Sequence, residues 1–349
     1  MNLFKQWWTY AIILGLFAFL LPKSQFSVPV LILLFSFGLI ILVKGADYLV
    51  DGSSSIAAHY RVSPLVIGLT IVAFGTSVPE LTVSVISAIK GAVAVSLGNI
   101  VGSNIANIAL ILGLSATVCA LVVRSPTIKF EAPFVVFSGL VLILLSLNLG
   151  FDASAEKFIL GRIDGIIFLA FFAFFMYKIV TRAMKQRAEK KFDTPPDYGL
   201  PKSIIMTVVG IAGVVWGADM LVDSASEIAV MLGVSEAIIG LTIVSIGTSL
   251  PELITSVVAA AKKKMEIAVG NVLGSNVFNT FWVLGLVSTI RPLEVEPSLV
   301  FIDMPVMIGI SVLLWLFMRS NSKITKREGI MFLALYAGYI ISLVFRSFF

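Results

Sequence analysis

Charge, cysteine and histidine are all scarce in this chain of 349 residues. Only 13% of the residues are charged and 58% are hydrophobic, whereas a soluble domain carries about 25% charged residues. This deficit excludes a soluble enzyme and a nucleic-acid-binding protein. The single cysteine, Cys119, excludes a disulfide framework and a thiolate metal site, and the single histidine, His59, excludes motifs of the HExxH type.

Long apolar runs are abundant instead, and the mean hydropathy is +1.04. Runs of roughly 20 apolar residues are long enough to cross a bilayer, and the chain contains eleven of them. They lie near 7–22, 28–50, 64–89, 95–121, 130–149, 163–181, 203–222, 236–261, 267–290, 299–318 and 328–345. The net charge of +5 comes from basic residues between these runs and does not indicate an anionic partner. The sequence predicts an all-α polytopic membrane protein in a lipid bilayer.

The first run, 7–22, has two interpretations. It is short and follows only Lys5, which is compatible with a signal peptide. No small-residue cleavage pattern follows it, however, because the next residues are Pro22, Lys23, Ser24 and Gln25. We therefore expect residues 1–25 to form an extra N-terminal transmembrane helix.

The one extended polar segment, 183–202, predicts the orientation of the chain. It is basic and contains the prolines of a loop. Cytoplasmic loops carry an excess of Lys and Arg, and placing this loop in the cytoplasm also puts the run at 262–264 there. The sequence thus predicts a protein of the cell membrane with segment 183–202 in the cytoplasm and the C-terminus outside.

The first half of the chain returns in the second half at an offset of 172 residues, and about half of the positions from 45 to 113 match. The matching segments are GADYLVD with GADMLVD, IGLTIV with IGLTIV, GTSVPEL with GTSLPEL, and GNIVGSNIAN with GNVLGSNVFN. Each half, 26–182 and 203–349, holds five spans. Because five is odd, equivalent helices cross in opposite directions, as in the inverted repeats of secondary transporters, whose sites lie near the midplane. A duplicated scaffold without transport does not explain why polar residues match best.

Glu80 and Glu252 occupy equivalent positions inside apolar spans. A carboxylate at a helix centre costs roughly 2.5–3.5 kcal/mol on insertion scales, so it indicates function by default. Pro79 and Pro251 remove a backbone donor next to each glutamate and break the helix. We expect the break to free main-chain oxygens around residues 73–76 and 245–248. Unpaired carbonyl oxygens are tolerated at membrane depth only where another group or an ion binds them.

The spacing of the matched polar residues predicts that their oxygen atoms lie close together in one site. Thr76 and Ser77 lie four and three residues before Glu80, which predicts a shared helical face. Ser103 shares a face with Asn107, and so do the equivalent pair Ser275 and Asn279. Asn104 and Asn276 are equally compatible with a packing role. The site is therefore predicted to offer oxygen donors alone, which suit Ca²⁺ and Na⁺ and do not suit soft transition metals.

These segments resemble the two alpha-repeats of the cation/calcium exchanger superfamily, and in particular the compact prokaryotic sodium/calcium exchangers. The doubled GTSxPE and GSNxxN patterns carry the resemblance, which covers nearly the whole chain. It implies a ten-helix core in which the second, third, seventh and eighth core helices form the ion site. The extra N-terminal helix lies outside that core.

The resemblance also implies a set of ligands. The implied side-chain ligands are the carboxylates of Glu80 and Glu252 and the hydroxyls of Ser77, Ser249, Ser103 and Ser275, and the implied main-chain carbonyls are those of Thr76, Thr248, Ala73 and Ser245. Asn107 and Asn279 occupy the remaining paired positions. Family members often carry an aspartate there, so this chain lacks a third full charge, and the coupling ion stays open.

The leading hypothesis is an antiporter that exports Ca²⁺ with the inward Na⁺ gradient, acting as a monomer without a prosthetic group. Calcium/proton exchange at the same site is the runner-up, since a buried carboxylate can carry a proton. A passive cation channel is less favoured because a channel does not need two equivalent half-sites. An intramembrane hydrolase lacks a plausible base, so the chain is not expected to be an enzyme.

Overall fold

The structure, a computed structural model, describes residues 26–91, 93–147, 158–189, 192, 194–232 and 245–348. Eight of the described helices are long and apolar enough to cross a membrane, and one bent pair makes a ninth span. A shorter apolar helix, Leu250–Ala261, follows residues 233–244, which lie outside the described residues together with the predicted helix at 1–25. The chain is an all-α polytopic membrane protein whose described helices keep the order of the predicted ten-helix core.

The helices of the first half are α1 (Val28–Tyr60), α2 (Pro64–Thr76), α3 (Val78–Lys90), α4 (93–118), α5 (Glu131–Ser146) and α6 (Arg162–Ala188). Those of the second half are α7 (Leu200–Met231), α8 (Leu250–Ala261), α9 (Met265–Ile290), α10 (299–321) and α11 (Lys326–Phe348). Short helical turns, Ser125–Lys129 and Ser245–Gly247, precede α5 and α8. Wide π-helical turns interrupt four of the helices at Gly68–Val72, Asn107–Leu112, Phe278–Val283 and Leu299–Asp303.

Three helices are longer than their apolar runs. Helix α1 continues past the predicted end at residue 50, α7 continues past 222, and α6 continues into the predicted loop as far as Ala188. The added residues are too polar for a span but include no proline, so nothing stops the helix. His59 lies between the apolar runs 28–50 and 64–89, which predicts a loop position. In the structure it lies in the last turn of α1, which ends at Arg61 in the left-handed conformation.

Helices α1 and α7, which are equivalent in the repeat, pack backbone to backbone. A Cβ atom on Gly45 would lie 2.7 Å from the backbone of Gly213, and one on Gly210 would lie 2.4 Å from the backbone nitrogen of Leu49. No side chain fits at these distances. The glycines therefore allow the two long helices to cross in direct contact, as small residues do in membrane interfaces.

The ends of the helices agree with the predicted inversion of the two halves. The start of α2 lies beside the end of α6, where the Ser63 N–H donates to Gln186 at 3.0 Å. Helices α2 and α3 form one span, and its equivalent in the second half is completed by α8. That second span ends on the same side, because Lys264 just after α8 contacts Asp197 of the loop between the halves. The two spans thus run in opposite directions, as the predicted inversion requires. We call the membrane side that carries segment 183–202 the loop side.

In the described part of the chain, four two-residue strands join the halves outside the helices. Strand β1 (Leu121–Val122) pairs antiparallel with β4 (Lys323–Ile324), and β2 (Ile159–Leu160) pairs antiparallel with β3 (Leu293–Glu294). Each pair connects a loop of the first half to a loop of the second half. The connections support a core of α4–α6 and α9–α11, in which the site helices are embedded.

Candidate cation site

The helix is interrupted just before each buried glutamate. Helices α2 and α3 meet at 45°, with Ser77 at the junction and Pro79 in the first turn of α3. Glu80 lies in that same turn and is fully buried, as is Glu252 in the first turn of α8. A helix N-terminus carries partial positive charge from its unpaired N–H groups. The break therefore gives each carboxylate a favourable position inside an apolar core.

Glu80 accepts hydrogen bonds from serines of both halves. Its Oε1 atom accepts from Ser103 on α4 at 3.4 Å and from Ser249, which precedes α8, at 3.2 Å. The two hydroxyls also lie 3.2 Å from each other. Since Ser249 belongs to the second half, the environment of the first glutamate is completed across the repeat.

Glu252 shows the same arrangement with the halves exchanged. Its Oε1 atom accepts from Ser275 on α9 at 3.3 Å and from Ser77 at 3.0 Å, and these hydroxyls lie 3.0 Å apart. The prediction that Ser77 shares a helical face with Glu80 is wrong. The backbone leaves the helical conformation at Ser77 (φ −84°, ψ 8°), and its hydroxyl turns to the glutamate of the other half.

Asn107 and Asn279 are also fully buried and also bond across the repeat. Asn107 Nδ2 donates to Asn276 Oδ1 at 2.9 Å, and Asn279 Nδ2 donates to Asn104 Oδ1 at 3.2 Å. These bonds occupy the donor side of each amide. Asn104 and Asn276, which the sequence left open between packing and binding, are the residues that orient the two predicted ligands.

Four buried oxygen atoms of this cluster have no hydrogen-bond partner among the residues that the structure describes. They are Oε2 of Glu80, Oε2 of Glu252, Oδ1 of Asn107 and Oδ1 of Asn279. A buried polar atom without a partner costs about 1–3 kcal/mol, and more for a charged group. All four are acceptors without a donor, and they form two pairs of equivalent positions. The arrangement is suited to a cation.

Two other buried carboxylates show what is different about the glutamates of the site. Glu131 forms an ion pair with Arg182, and Asp303 forms one with Arg346. Glu80 and Glu252 have no Lys or Arg of the described residues within ion-pair distance. The described residues also contain no cluster of three or more His, Cys, Asp or Glu residues. Two carboxylates without a basic partner, together with neutral oxygens, are a set of donors that suits a hard cation.

The predicted main-chain ligands are only partly free. The carbonyl of Ala73 accepts from the N–H of Ser77 at 3.0 Å and from the hydroxyl of Thr76 at 3.4 Å. The expectation that the break leaves this oxygen unpaired is therefore wrong. Ser245 begins the helical turn before α8, and Thr248 lies at the end of that segment, mostly buried.

Sequence reasoning missed a further set of buried and partly buried residues beside the site. Asn271 bonds to Thr76 and Ser256, and its equivalent, Asn99, bonds to Thr248 and Ser84. The signal was available, because Asn99 matches Asn271 and Ser84 matches Ser256 at the same offset of 172 residues. They are not among the ligands that the resemblance implies, and so they were passed over.

Close helix approach places these side chains. A Cβ on Gly270 would lie 2.8 Å from the carbonyl of Leu65, and one on Gly274 would lie 2.9 Å from the backbone of Leu69. The small residues Gly270 and Gly274 therefore let α9 contact α2 directly.

Comparison with known proteins agrees with this geometry. The chain matches the sodium/calcium exchanger protein family over residues 30–181 and 202–345. It is 34% identical over 341 residues to the sodium/calcium exchanger MaX1 of Methanosarcina acetivorans, with 88% of this chain and 97% of that protein covered. It is 36% identical over 309 residues to the membrane protein MJ0091 of Methanocaldococcus jannaschii, with 88% and 96% covered.

A solved structure shows the same fold. The sodium-calcium exchanger NCX_Mj, in a crystal soaked with Na⁺ and Ca²⁺, superposes with a TM-score of 0.77 at 35% sequence identity, and the match covers 90% of this chain and 98% of that one. The resemblance inferred from the doubled motifs is thereby confirmed. The family consists of membrane transporters of Na⁺ and Ca²⁺ and not of enzymes. The chain belongs to the sodium/calcium exchanger family.

Proposed function

We propose that the protein exchanges Ca²⁺ for Na⁺ by alternating access at a single all-oxygen site near the membrane midplane. The observation that carries the proposal is the crossed pair of buried glutamates, each with one unpartnered oxygen. Two carboxylates balance one Ca²⁺, and the remaining ligands are neutral. Sodium ions bind to separate sub-sites among the hydroxyl and carbonyl oxygens and compete for the same two carboxylates.

The proposed ligands keep the set expected from the sequence. They are Glu80, Glu252, Ser77, Ser249, Ser103, Ser275, Asn107 and Asn279 through their side chains, and Ala73, Thr76, Ser245 and Thr248 through their main-chain carbonyls. Because every half-site contains a serine from the other half, one chain is sufficient for the whole site. The protein is therefore proposed to work as a monomer.

The inverted halves, 26–182 and 203–349, support alternating access, because equivalent helices that run in opposite directions give two related routes to one site. The basic residues on the loop side support a cytoplasmic position for segment 183–202 and an outer position for the C-terminus. This orientation makes the exchanger one of the cell membrane that exports Ca²⁺ when Na⁺ enters.

The decisive experiment is ⁴⁵Ca²⁺ uptake into proteoliposomes that contain the purified protein. Vesicles are loaded with Na⁺, with K⁺, or with neither ion and an imposed pH gradient. We expect ⁴⁵Ca²⁺ uptake only into the Na⁺-loaded vesicles. Uptake that runs on the pH gradient without sodium would establish calcium/proton exchange, and equal uptake in all vesicles would establish a passive channel.

Acidification gives an independent test of the shared carboxylates. A protonated glutamate cannot balance Ca²⁺, so protons and cations compete for Glu80 and Glu252. Na⁺-driven flux should therefore fall between pH 8 and pH 5, and raised Ca²⁺ should restore it. A flux that is constant over this range would contradict the assignment of the glutamates.

A further inference from the structure

Asn271 joins three helices at the edge of the site. Its side chain is fully buried on α9. Its Oδ1 atom accepts from the Thr76 hydroxyl on α2 at 3.0 Å, and its Nδ2 atom donates to the Ser256 hydroxyl on α8 at 3.0 Å and to the main-chain oxygen of Glu252 at 3.5 Å. Both ends of the amide are therefore engaged, which fixes its orientation.

The equivalent asparagine makes the equivalent bonds. Asn99 on α4 accepts from the Thr248 hydroxyl at 3.3 Å and donates to the Ser84 hydroxyl on α3 at 3.2 Å. Each asparagine thus connects the broken segment of one half to the glutamate helix of the other half. The same three residue types in the same roles on both sides of the repeat are not expected from helix packing alone.

The position of Asn271 relates this bond pattern to the ions. Asn271 lies four residues before Ser275 and so on the same face of α9, one turn from the serine that contacts Glu252. The Thr76 hydroxyl that it holds also contacts the carbonyls of Val72 and Ala73 at 3.1 and 3.4 Å. Moving Asn271 would therefore move the backbone segment from which carbonyl ligands come.

We propose that Asn271 and Asn99 are positioning residues for the cation site. Each one fixes the position of the main-chain carbonyls of one half relative to the carboxylate of the other half. The inference rests on the proposed function, since it assigns the asparagines a role in binding the exchanged ions. In the proposed function, Na⁺ occupies sub-sites of carbonyl and hydroxyl oxygens, whereas Ca²⁺ is balanced mainly by the two carboxylates. The asparagines therefore set the affinity for Na⁺ more strongly than that for Ca²⁺.

The test is a double-mutant cycle with Thr76→Val and Asn271→Ala, in which Na⁺ and Ca²⁺ dissociation constants are measured by calorimetry. We expect each single variant to weaken Na⁺ binding roughly tenfold, as for a buried polar group that loses its partner, and Ca²⁺ binding by much less. The double variant should be no worse than the worse single variant. Thr76→Ser keeps the hydroxyl and should bind as the wild type does.

Two outcomes would overturn this proposal. One is additivity of the two substitutions, and the other is lower thermal stability with both dissociation constants unchanged, which would leave the asparagines a packing role only. If Asn271→Ala does not fold, Ser256→Ala removes one bond of the same amide and gives a milder version of the cycle. A wild-type protein in which Na⁺ and Ca²⁺ do not compete would refute the proposed function instead.

An ion pair outside the site carries a second, independent inference. Lys262, the residue after α8, places its Nζ atom 2.9 Å from Asp51 Oδ1 and 3.2 Å from Asp47 Oδ1, both on α1. It also lies 3.3 Å from the main-chain oxygen of Asp47. Partial burial lowers the pKa of Lys262, but the hydrogen bonds with Asp51 and Asp47 outweigh that effect and raise it. The lysine is thus a charged tie between α8 and α1 on the loop side.

The repeat supplies a second set of the same residues. Lys90 ends α3 at the position equivalent to Lys262, and Asp219 and Asp223 on α7 are equivalent to Asp47 and Asp51. Because the halves are inverted, the Lys90 set belongs to the opposite membrane side. Lys90 itself is exposed at the end of its helix.

We infer that the two lysines are alternating latches between the glutamate helices, α8 and α3, and the crossed helices α1 and α7. Lys262 with Asp47 and Asp51 keeps the loop side closed, and Lys90 with Asp219 and Asp223 keeps the opposite side closed when the loop side opens. This inference also rests on the proposed function, because it needs two access states. The structure holds the first latch closed.

Matched variants test the latches. Lys262→Gln should favour the state open to the loop side, improve the apparent Ca²⁺ affinity from that side about threefold and weaken it from the other side, since a partly exposed ion pair is worth little. Lys90→Gln should do the reverse. Exchanging the charges in Lys262→Asp with Asp51→Lys should restore the wild-type balance.

Maleimide labelling gives a readout that does not need transport. Ala260 and Ala88 are equivalent, buried and two residues before each lysine, so a cysteine at either one, in a Cys119→Ser background, reports opening of its own side. Lys262→Gln should raise labelling at 260 and lower it at 88. Changes of the same sign from both lysine variants would overturn the latches. Labelling that shifts as expected in a protein without exchange would refute the proposed function alone.

Discussion

Around Glu80 the first half-site offers hydroxyls at 3.2 and 3.4 Å, and around Glu252 the second offers them at 3.0 and 3.3 Å. The π-helical turns that follow on α4 and α9 are less alike. The first reads NIALIL (Asn107–Leu112) and the second reads FNTFWV (Phe278–Val283). Only the asparagine is kept at equivalent positions. The polar atoms of the two halves have thus stayed the same where their packing has diverged.

The divergence follows from the neighbours of each turn. Phe281 is buried against Phe171 of α6, with ring centroids 5.4 Å apart, and against Phe134 of α5. On the other side α4 packs on α11 through small residues, since a Cβ on Gly113 would lie 3.1 Å from the carbonyl of Gly329. An ion that contacts both halves constrains the positions of the oxygen atoms in both. Packing side chains are constrained only by the adjacent helix.

The largest effect is expected from removing either carboxylate. Glu80→Gln and Glu252→Gln should each abolish Ca²⁺ transport while the protein still inserts, because one remaining charge cannot balance Ca²⁺ in a low-dielectric site. The measurement is Na⁺-driven ⁴⁵Ca²⁺ flux of the purified variants. Glu296→Gln, at an exposed position, is the matched control and should transport normally. Wild-type flux in either site variant would remove that glutamate from the site.

A negative charge added to a single half makes the two half-sites inequivalent. Asn107→Asp or Asn279→Asp should increase the preference for Ca²⁺ or a proton over Na⁺ by roughly tenfold, since a third carboxylate favours the higher charge. Asn→Ala at either position should weaken binding less than the loss of a glutamate does. Competition calorimetry with both ions checks the four variants. If all four bind as the wild type does, the asparagines are packing residues.

The crossed serines allow a sharper comparison. Ser77→Ala should lower ion affinity a few-fold, since it removes one neutral hydrogen bond. In double-mutant cycles on ion affinity with conservative Glu→Asp changes, Ser77→Ala should couple to Glu252→Asp and add independently to Glu80→Asp. Ser249→Ala should show the opposite pairing. Coupling of Ser77 to the glutamate of its own half would support the helical face expected from the sequence and contradict the crossed geometry.

Much of the fold could be predicted from the sequence, and so could several of the polar residues that the structure brings together. Hydropathy located the spans, and the 172-residue offset identified the polar positions that matter. Proline next to Glu80 predicted the break that the structure shows as a 45° bend. These predictions depend on local chemistry and on internal matching, both of which a single sequence contains.

The pairing of side chains across the repeat could not be predicted in this way. Helical periodicity describes neighbours three or four residues apart, whereas Ser77 bonds to Glu252 and Asn107 bonds to Asn276 across the whole molecule. Helix ends were also missed, because hydropathy records where a span leaves the lipid and not where the helix stops. His59 is the example.

The smallest effect on transport is expected where the halves differ most. Phe281→Leu replaces a fully buried ring by a smaller apolar side chain and removes its ring contacts, which should cost about 1 kcal/mol of stability. The ion affinities should not change, because no site oxygen depends on this ring. The equivalent residue Ala109 is also buried, and Ala109→Leu should destabilise by overpacking instead. Thermal unfolding and Ca²⁺ calorimetry separate the two quantities. A change in Ca²⁺ affinity without a change in melting temperature would show that packing in the second half is coupled to the site.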